Sequence, residues 1–333
     1  MSDSRNQGRR GSAPSSPQSS RPLSPAASPP AAPTLAATVR ELAPGTSWEQ
    51  ARALCRAGRV WVDGRAATDP AWRPAAGSSV EVRAAAAARA ADAEQATDLI
   101  VHADADLVVV RKPPGVLTVP FERGDRDTLL ALVRVALRRL ETRRAAGASA
   151  ANPTLRAVQR LDKDTSGLLV FARTVAAQRA LQRQLADGEV TRRYEALVHG
   201  AAGDAVYDTW LVEDRGDGLR GSWAGALPPP PGARQAVTRV LALETLRGAT
   251  RIACELETGR QHQIRIHLAE AGHPLVGETV YIRDRRGPRI PAPRPLLHAA
   301  TLGFLHPRDG RPLRFEEPPP ADFAAVLRRL RRR

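Results

Sequence analysis

Arg160-Leu161-Asp162-Lys163-Asp164-Thr165-Ser166-Gly167 is a polar run set between two strand patterns, Ala157-Val158 before it and Leu168-Leu169-Val170-Phe171-Ala172 after it. A loop held by sheet on both sides presents its side chains rigidly. This one offers two carboxylates two residues apart, flanked by Arg160 and Lys163, with Thr165, Ser166 and Gly167 to turn the chain. A carboxylate beside cations stays ionised, so it can act as a nucleophile or base near neutral pH. The same residues also suit a charged turn, with an Asx-type bond from Asp164 to Thr165 or Ser166. Composition alone leaves the two readings even.

Outward from this loop the chain alternates irregularly between strand and helix signals. Leu107-Val108-Val109-Val110 reads as a buried strand, and Asp127 as the cap of a helix through Leu140. Thr174 caps a helix from Val175 to about Ala186, Tyr194-Glu195-Ala196-Leu197-Val198 is a strand, and further strands fall near 237–244 and 250–257. Strands outnumber helices without strict βαβ order, which predicts an α+β domain on a large mixed or antiparallel sheet. Thr258-Gly259-Arg260-Gln261-His262-Gln263-Ile264-Arg265-Ile266-His267-Leu268 fits either period. The stripe Ile264, Leu268, Ala271 and the stop Gly272-His273-Pro274 select a helix, placing Thr258 and Gly259 before an N-terminus that attracts phosphate. Arg265 then lies one turn in, within reach of a nearby carboxylate. His262 and His267 share neither a helix face nor a strand face, and no third ligand is evident, so no metal site is expected. Tyr194 beside Arg192 and Arg193 could stack on a base or move a proton, or be an ordinary sheet aromatic. Arg111-Lys112-Pro113-Pro114-Gly115-Val116 by itself says only that a strand ends in a turn.

The whole chain has 333 residues and a formal charge of +15, which favours a polyanionic partner because arginine contacts to phosphates release counterions. Of its 50 basic residues only Lys112 and Lys163 are lysine, and both fall in the segments above. Residues 1–33 are mostly Ser, Pro, Ala, Gly and Arg with almost no bulky apolar side chain, and are expected to be a disordered tail. Residues 84–97 are an Ala-rich linker, 98–326 the large domain, and 327–333 a basic helix end or tail. Cys55 and Cys254 have no metal-ligand spacing, which suits a reducing cytoplasm. No apolar run is long enough to span a membrane and no signal peptide follows Met1.

Residues 34–83 open with a helix pattern, Trp48 through Arg56 with Ser47 as N-cap and Gly58 as stop. Arg59-Val60-Trp61-Val62, an Asp63-Gly64 turn and a closing strand Val80-Glu81-Val82 complete a small α/β unit. It resembles the RNA-binding domain named after ribosomal protein S4, a resemblance that makes Arg52, Arg56, Arg59 and Arg65 candidate RNA contacts. The four segments of the large domain, in order, resemble the RluA family of pseudouridine synthases. Lys112-Pro113-Pro114-Gly115, Arg160 to Gly167, Tyr194-Glu195-Ala196-Leu197-Val198, Thr258 to His267, Gly272-His273-Pro274 and Gly277-Glu278 through Tyr281 carry it, across about 98–305.

That resemblance implies a uridine isomerase on structured RNA, ribosomal RNA of the large subunit first and transfer RNA second, acting as a cytoplasmic monomer. Asp162 matches the catalytic Asp, Tyr194 the active-site Tyr that stacks on the flipped base and is implicated in proton removal, and Arg265 the Arg that pairs with the Asp. Arg160 matches an RNA-facing Arg that helps fill the space left by the flipped base. Lys163, Thr165, Arg260, His262 and Gln263 are expected to contact RNA. The reaction is an isomerisation, so no cofactor, metal or second substrate is required. One departure stands out: the family often has His before Arg-Leu-Asp, where this chain has Gln159. The segment 213–235 also looks divergent. Two other classes remain open, a catalytically silent RNA-binding protein and an Asp-nucleophile hydrolase on a small substrate.

Overall fold

The computed structural model describes residues 33–56, 58–83, 99–120, 125, 128–144, 153–226, 228–282 and 287–331. The tail expected over 1–33, all but its last residue, lies outside them, as do the 84–97 linker and the Asp127 cap. Pro33–Arg333 forms one contact unit holding two sheets.

The N-terminal sheet is small. Helices α1 (Leu35–Leu42) and α2 (Trp48–Arg56) are followed by strands β1 (Val60–Val62), β2 (Arg65–Ala67) and β3 (Val80–Val82), antiparallel in the order β2-β1-β3. Ser47 and Gln50 form a reciprocal cap at the start of α2, each side chain accepting from the other's backbone amide at 3.1 and 2.8 Å. Gly58, with φ of 72°, ends it as expected. Leu35, Val39, Ala51, Cys55, Val60 and Val62 close the core beneath.

The second sheet is built from β4 (Ile100–Ala103), β5 (Leu107–Lys112), β6 (Arg156–Ala157), β7 (Ser166–Ala172), β8 (Thr191–His199), β9 (Ala205–Val212), β10 (Gly221–Ser222), β11 (Arg234–Leu246), β12 (Ala249–Leu256), β13 (Leu297–Leu305) and β14 (Pro312–Glu316). The path runs β10-β9-β11-β12-β8-β13-β7-β5-β4, with β14 on β13 and β6 on β7. Neighbours are antiparallel except β13 and β7, which run parallel with Ala299 opposite Gly167. The fold is therefore the expected α+β class with a mixed sheet.

The central strands read as continuous apolar runs because both faces are covered. In β7, Leu169 and Phe171 join one core, while Leu168, Val170 and Ala172 join the other. Helix α3 (Leu129–Arg144) covers the first face with Leu129, Val133 and Leu137, and α5 (Gln263–Glu270) adds Ile264 and Leu268. On the second face α4 (Val175–Ala186) supplies Ala177 and Leu181; Thr174 caps it, accepting from Ala177 N at 3.0 Å. The terminal helix α6 (Ala321–Arg331) buries Phe323, Val326, Leu327 and Leu330 against Leu197 and Ala249. The boundary expected at 326 thus falls inside a packed helix, and residues 327–331 are part of the large domain rather than a tail. Arg331 pairs with Glu244 at 2.6 Å. Among the described residues no helix is long and apolar enough to cross a membrane.

Candidate active site

The Asp162 loop is fastened carbonyl by carbonyl. The Thr118 hydroxyl donates to Leu161 O at 2.7 Å and accepts from Leu161 N at 3.1 Å. Thr165 N donates to Asp162 O, and Gly115 N to Lys163 O. The Lys112 ammonium, fully enclosed at the end of β5, donates to Pro113 O, Lys163 O and Thr165 O at 3.0, 2.6 and 2.7 Å. Burial pushes the Lys112 pKa down to about 7, opposed by Asp164 and Asp162. Three carbonyl acceptors require three N–H groups, however, which only the protonated amine supplies. Arg294 donates to Asp164 O at 2.9 Å and is itself held by Asp322 at 2.7 Å. Gly167, with φ of 113°, lets β7 lie against Ala299 of β13, where any Cβ would strike the Ala299 backbone. No Asx bond from Asp164 is formed; the loop is a fixture of the sheet rather than a simple turn.

Around the Asp162 carboxylate, which is 26% exposed, the distant segments converge. Tyr194, central on β8, is buried, and burial pushes its phenol up to about 12, with Arg192 pulling the other way and Asp162 reinforcing the rise. His262 Nε2 lies 3.9 Å from Asp162 Oδ2, and His262 Nδ1 is 2.8 Å from the Tyr281 hydroxyl oxygen. Burial pushes His262 down to about 4, so it is neutral at physiological pH. Arg265 sits in α5 as the helix reading required, but its bonded partner is Glu278, not Asp162: Nε and Nη2 meet the two Glu278 oxygens at 2.8 and 2.6 Å. Burial disfavours the charge on Arg265, yet Glu278 first and Asp162 second hold it protonated beyond its ordinary range. Burial likewise works to raise the Glu278 carboxyl, and Arg265 more than reverses it. Glu278 was quoted in the sequence only as the continuation of a motif; Arg294 and Thr118 carried no signal at all.

Several expected RNA contacts are structural instead. Thr165 is buried, its carbonyl taken by Lys112. Gln263 is 2% exposed and spends its amide on Thr258, Arg260 N, Val237 O and Thr238. That occupies the Thr258 hydroxyl and the Arg260 amide, so the phosphate cradle expected before α5 is filled by the protein's own side chain. Lys163 is half-buried, its amine seated against Gly58 of the N-terminal sheet domain. Arg59 pairs with Asp125 at 3.3 Å. Arg160 and Arg260 are exposed, the latter donating to Gln235 O, while Arg52 and Arg56 are half-buried. The side chain of Arg65 lies outside the described residues. Gln159 lines a small pocket with Val158, Val170, Leu181, Leu185, Val190 and Phe304, on the α4 face of the sheet. The 213–235 segment sends Leu219 into a cluster with Ile266, Val280 and Tyr281.

His267, the other histidine of the motif, faces Thr238 and Thr209 at 2.9 and 3.0 Å and has no ring nitrogen left for a metal. Among the described residues Asp104, Asp106 and His306 come close enough to suggest ligands. Arg308 engages both Asp106 oxygens at 2.6 and 2.9 Å, and His102 meets Asp104 at 2.9 Å, which makes this an ion-pair network.

A family profile described as RNA pseudouridylate synthase matches residues 106–270, and an S4 domain profile matches residues 35–80. A relative in Bacillus subtilis, uncharacterized RNA pseudouridine synthase YlyB, is 36% identical over 239 residues, covering 70% of this chain and 73% of that protein. Ribosomal large subunit pseudouridine synthase D of Xanthomonas campestris is 32% identical over 311 residues, 89% of this chain and 88% of that protein. Among solved structures, human RNA pseudouridylate synthase domain containing 4 aligns over 72% of this chain and 95% of its own with a TM-score of 0.57, at 24% identity, a likeness of fold.

Proposed function

The chain belongs to the RluA family of RNA pseudouridine synthases, and from that premise we propose that it isomerises uridines of large-subunit ribosomal RNA around Asp162. The N-terminal S4 domain and the names of its relatives support this choice of RNA. In the reaction the N1–C1′ bond of uridine breaks, the uracil turns, a C5–C1′ bond forms, the C5 proton leaves to solvent and N1 takes up a proton in its place. Nothing is added or removed overall, so no second substrate is consumed.

Convergence of Asp162, Tyr194 and Arg265 from three separate segments is the observation that carries the proposal. Asp162 acts on the nucleoside. Arg265, kept cationic by Glu278, offsets negative charge beside it. Tyr194 stays a neutral phenol because burial raises its pKa, which suits stacking on the flipped base better than proton removal. A base leaving the stack needs such a face, and in this reading Arg160, exposed at the start of the loop, fills the gap in the RNA. Arg260, Arg52 and Arg56 supply phosphate contacts.

Tritium release from 5-³H-uridine-labelled large-subunit RNA tests the reading. Wild-type release with none from Asp162→Asn is expected; release from both discards Asp162 as the reacting group. Pseudouridine mapping of total RNA with and without the protein separates ribosomal from transfer RNA targets.

A further inference from the structure

We propose that His262 and Tyr281 form a positioning pair for Asp162. Tyr281 Oη–H donates to His262 Nδ1, which leaves the imidazole proton on Nε2 and turns that N–H toward the Asp162 carboxylate. The proposal rests on the reading of Asp162 as the reacting group.

Backbone conformation singles out His262 first. Its φ of 59° and ψ of 16° are left-handed, and among the described residues the only other non-glycine with positive φ is Asp63 in a β-turn. Such conformations cost free energy and persist where the surroundings over-determine them. Helix capping does not account for it: the residue occupies the N-cap of α5 but its side chain makes no capping bond. Its ring is instead aimed two ways, Nδ1 at the Tyr281 hydroxyl (2.8 Å) and Nε2 at Asp162 Oδ2 (3.9 Å).

The tautomer follows from the two neighbours. A neutral imidazole has one N–H and one lone pair. A carboxylate on the Nε2 side favours the proton there, so Nδ1 is the acceptor and Tyr281 the donor. Burial keeps Tyr281 a protonated phenol, well above its ordinary range. Tyr281 is itself held firmly. Glu278 Oε1 accepts the amides of Thr279, Val280 and Tyr281 at 3.1, 3.0 and 3.4 Å, and the Arg265 guanidinium carbon lies 5.3 Å from the Tyr281 ring centre. One buried carboxylate thus fixes both Arg265 and the residue that orients His262. At 3.9 Å the Nε2–H is beyond hydrogen-bond length from Asp162, and the contact tightens when substrate orders the site. His262 transfers no proton; it steers one carboxylate oxygen and leaves the other for the nucleoside.

His262→Asn, His262→Gln and Tyr281→Phe, with Asp162→Asn as reference, separate this role from RNA contact. Asn tolerates the left-handed backbone and can still meet Tyr281, but lacks a donor at the Nε2 position; Gln restores a donor near it. Using tritium release from labelled large-subunit RNA, kcat of His262→Asn is expected to fall between about tenfold and a hundredfold, with KM within about twofold. His262→Gln regains about fivefold or more of that loss, and Tyr281→Phe lowers kcat by about five- to tenfold. A raised KM at unchanged kcat in His262→Asn, or a Gln variant no better than Asn, overturns the proposal. So does wild-type kcat in His262→Asn while Asp162→Asn is dead, and that result leaves the Asp162 reading standing. Activity in Asp162→Asn overturns both.

Discussion

Lysine is rare in this chain, and Lys112 fills a place that suits its ammonium. Three backbone carbonyls surround a point that a compact ammonium fits and a planar guanidinium does not. Lys112→Met removes those three bonds from a buried site and is expected to cost about 2–4 kcal/mol and to lower kcat, read by urea midpoint and tritium release. Lys112→Arg should fare no better, because the fork is too large. Gly167→Ala places a Cβ into the Ala299 backbone at a φ that L-residues avoid, and loss of at least about 3 kcal/mol is expected in the same denaturation assay. At this scale the candidates were legible through the family resemblance: Asp162, Tyr194 and Arg265 stand in its motifs, and the fold brings their segments together. Their partners were not. Thr165 and Gln263 look the same in a sequence whether they face RNA or the interior, since a polar side chain reports nothing of its burial. The Glu278 partner of Arg265 became identifiable only once α5 was laid against the following turn.

Elements were legible where local chemistry decides them. Thr174 caps α4 and Ser47 caps α2 because a hydroxyl next to free amides satisfies them regardless of fold. Thr174→Ala should therefore cost about 1 kcal/mol, visible as a lowered thermal midpoint without change in activity at 25 °C. The stop Gly272-His273-Pro274 selects helix over strand for the Ile264, Leu268, Ala271 stripe, and Gly272 with φ of 83° ends the helix Gln263–Glu270. At the C-terminus the helix end, of the two readings, is the one that forms. Leu327 and Leu330 sit within an arginine-rich run, and their spacing matters only because α6 lies against Leu197 and Ala249. Truncation after Val326 removes two core leucines and is expected to destabilise the protein by about 4 kcal/mol or more, checked by urea unfolding; an unchanged midpoint would return the segment to the status of a tail.

For the whole molecule, three histidines of lowered pKa set the acid limit. Burial lowers the pKa of His262, to about 4, and those of His267 and His298. Folded, they stay neutral while the unfolded chain takes up protons below about 6.5, so each contributes stability that is present above that pH and lost as pH falls toward the folded value. Glu278, held below its ordinary range by Arg265, adds a loss below about 4.5 by the same sign. The urea midpoint should fall continuously from pH 6.5 to 4. Charge sets the other global property. RNA affinity should fall log-linearly with salt, and Arg52→Glu combined with Arg56→Glu should reduce the slope by about 1–2; an unchanged slope removes α2 from the RNA contact set.

The sequence alone determined the family, the α+β class and the caps of α2 and α4, and it named Asp162, Tyr194 and Arg265 as the candidates. These are local: a motif, a hydrophobic period or a cap is written in neighbouring positions. Only the tertiary structure decided who holds them in place. Lys112, Thr118, Arg294, Glu278 and Tyr281 come from remote stretches of chain, and hydrogen bonds to backbone carbonyls and buried ion pairs leave no spacing rule behind.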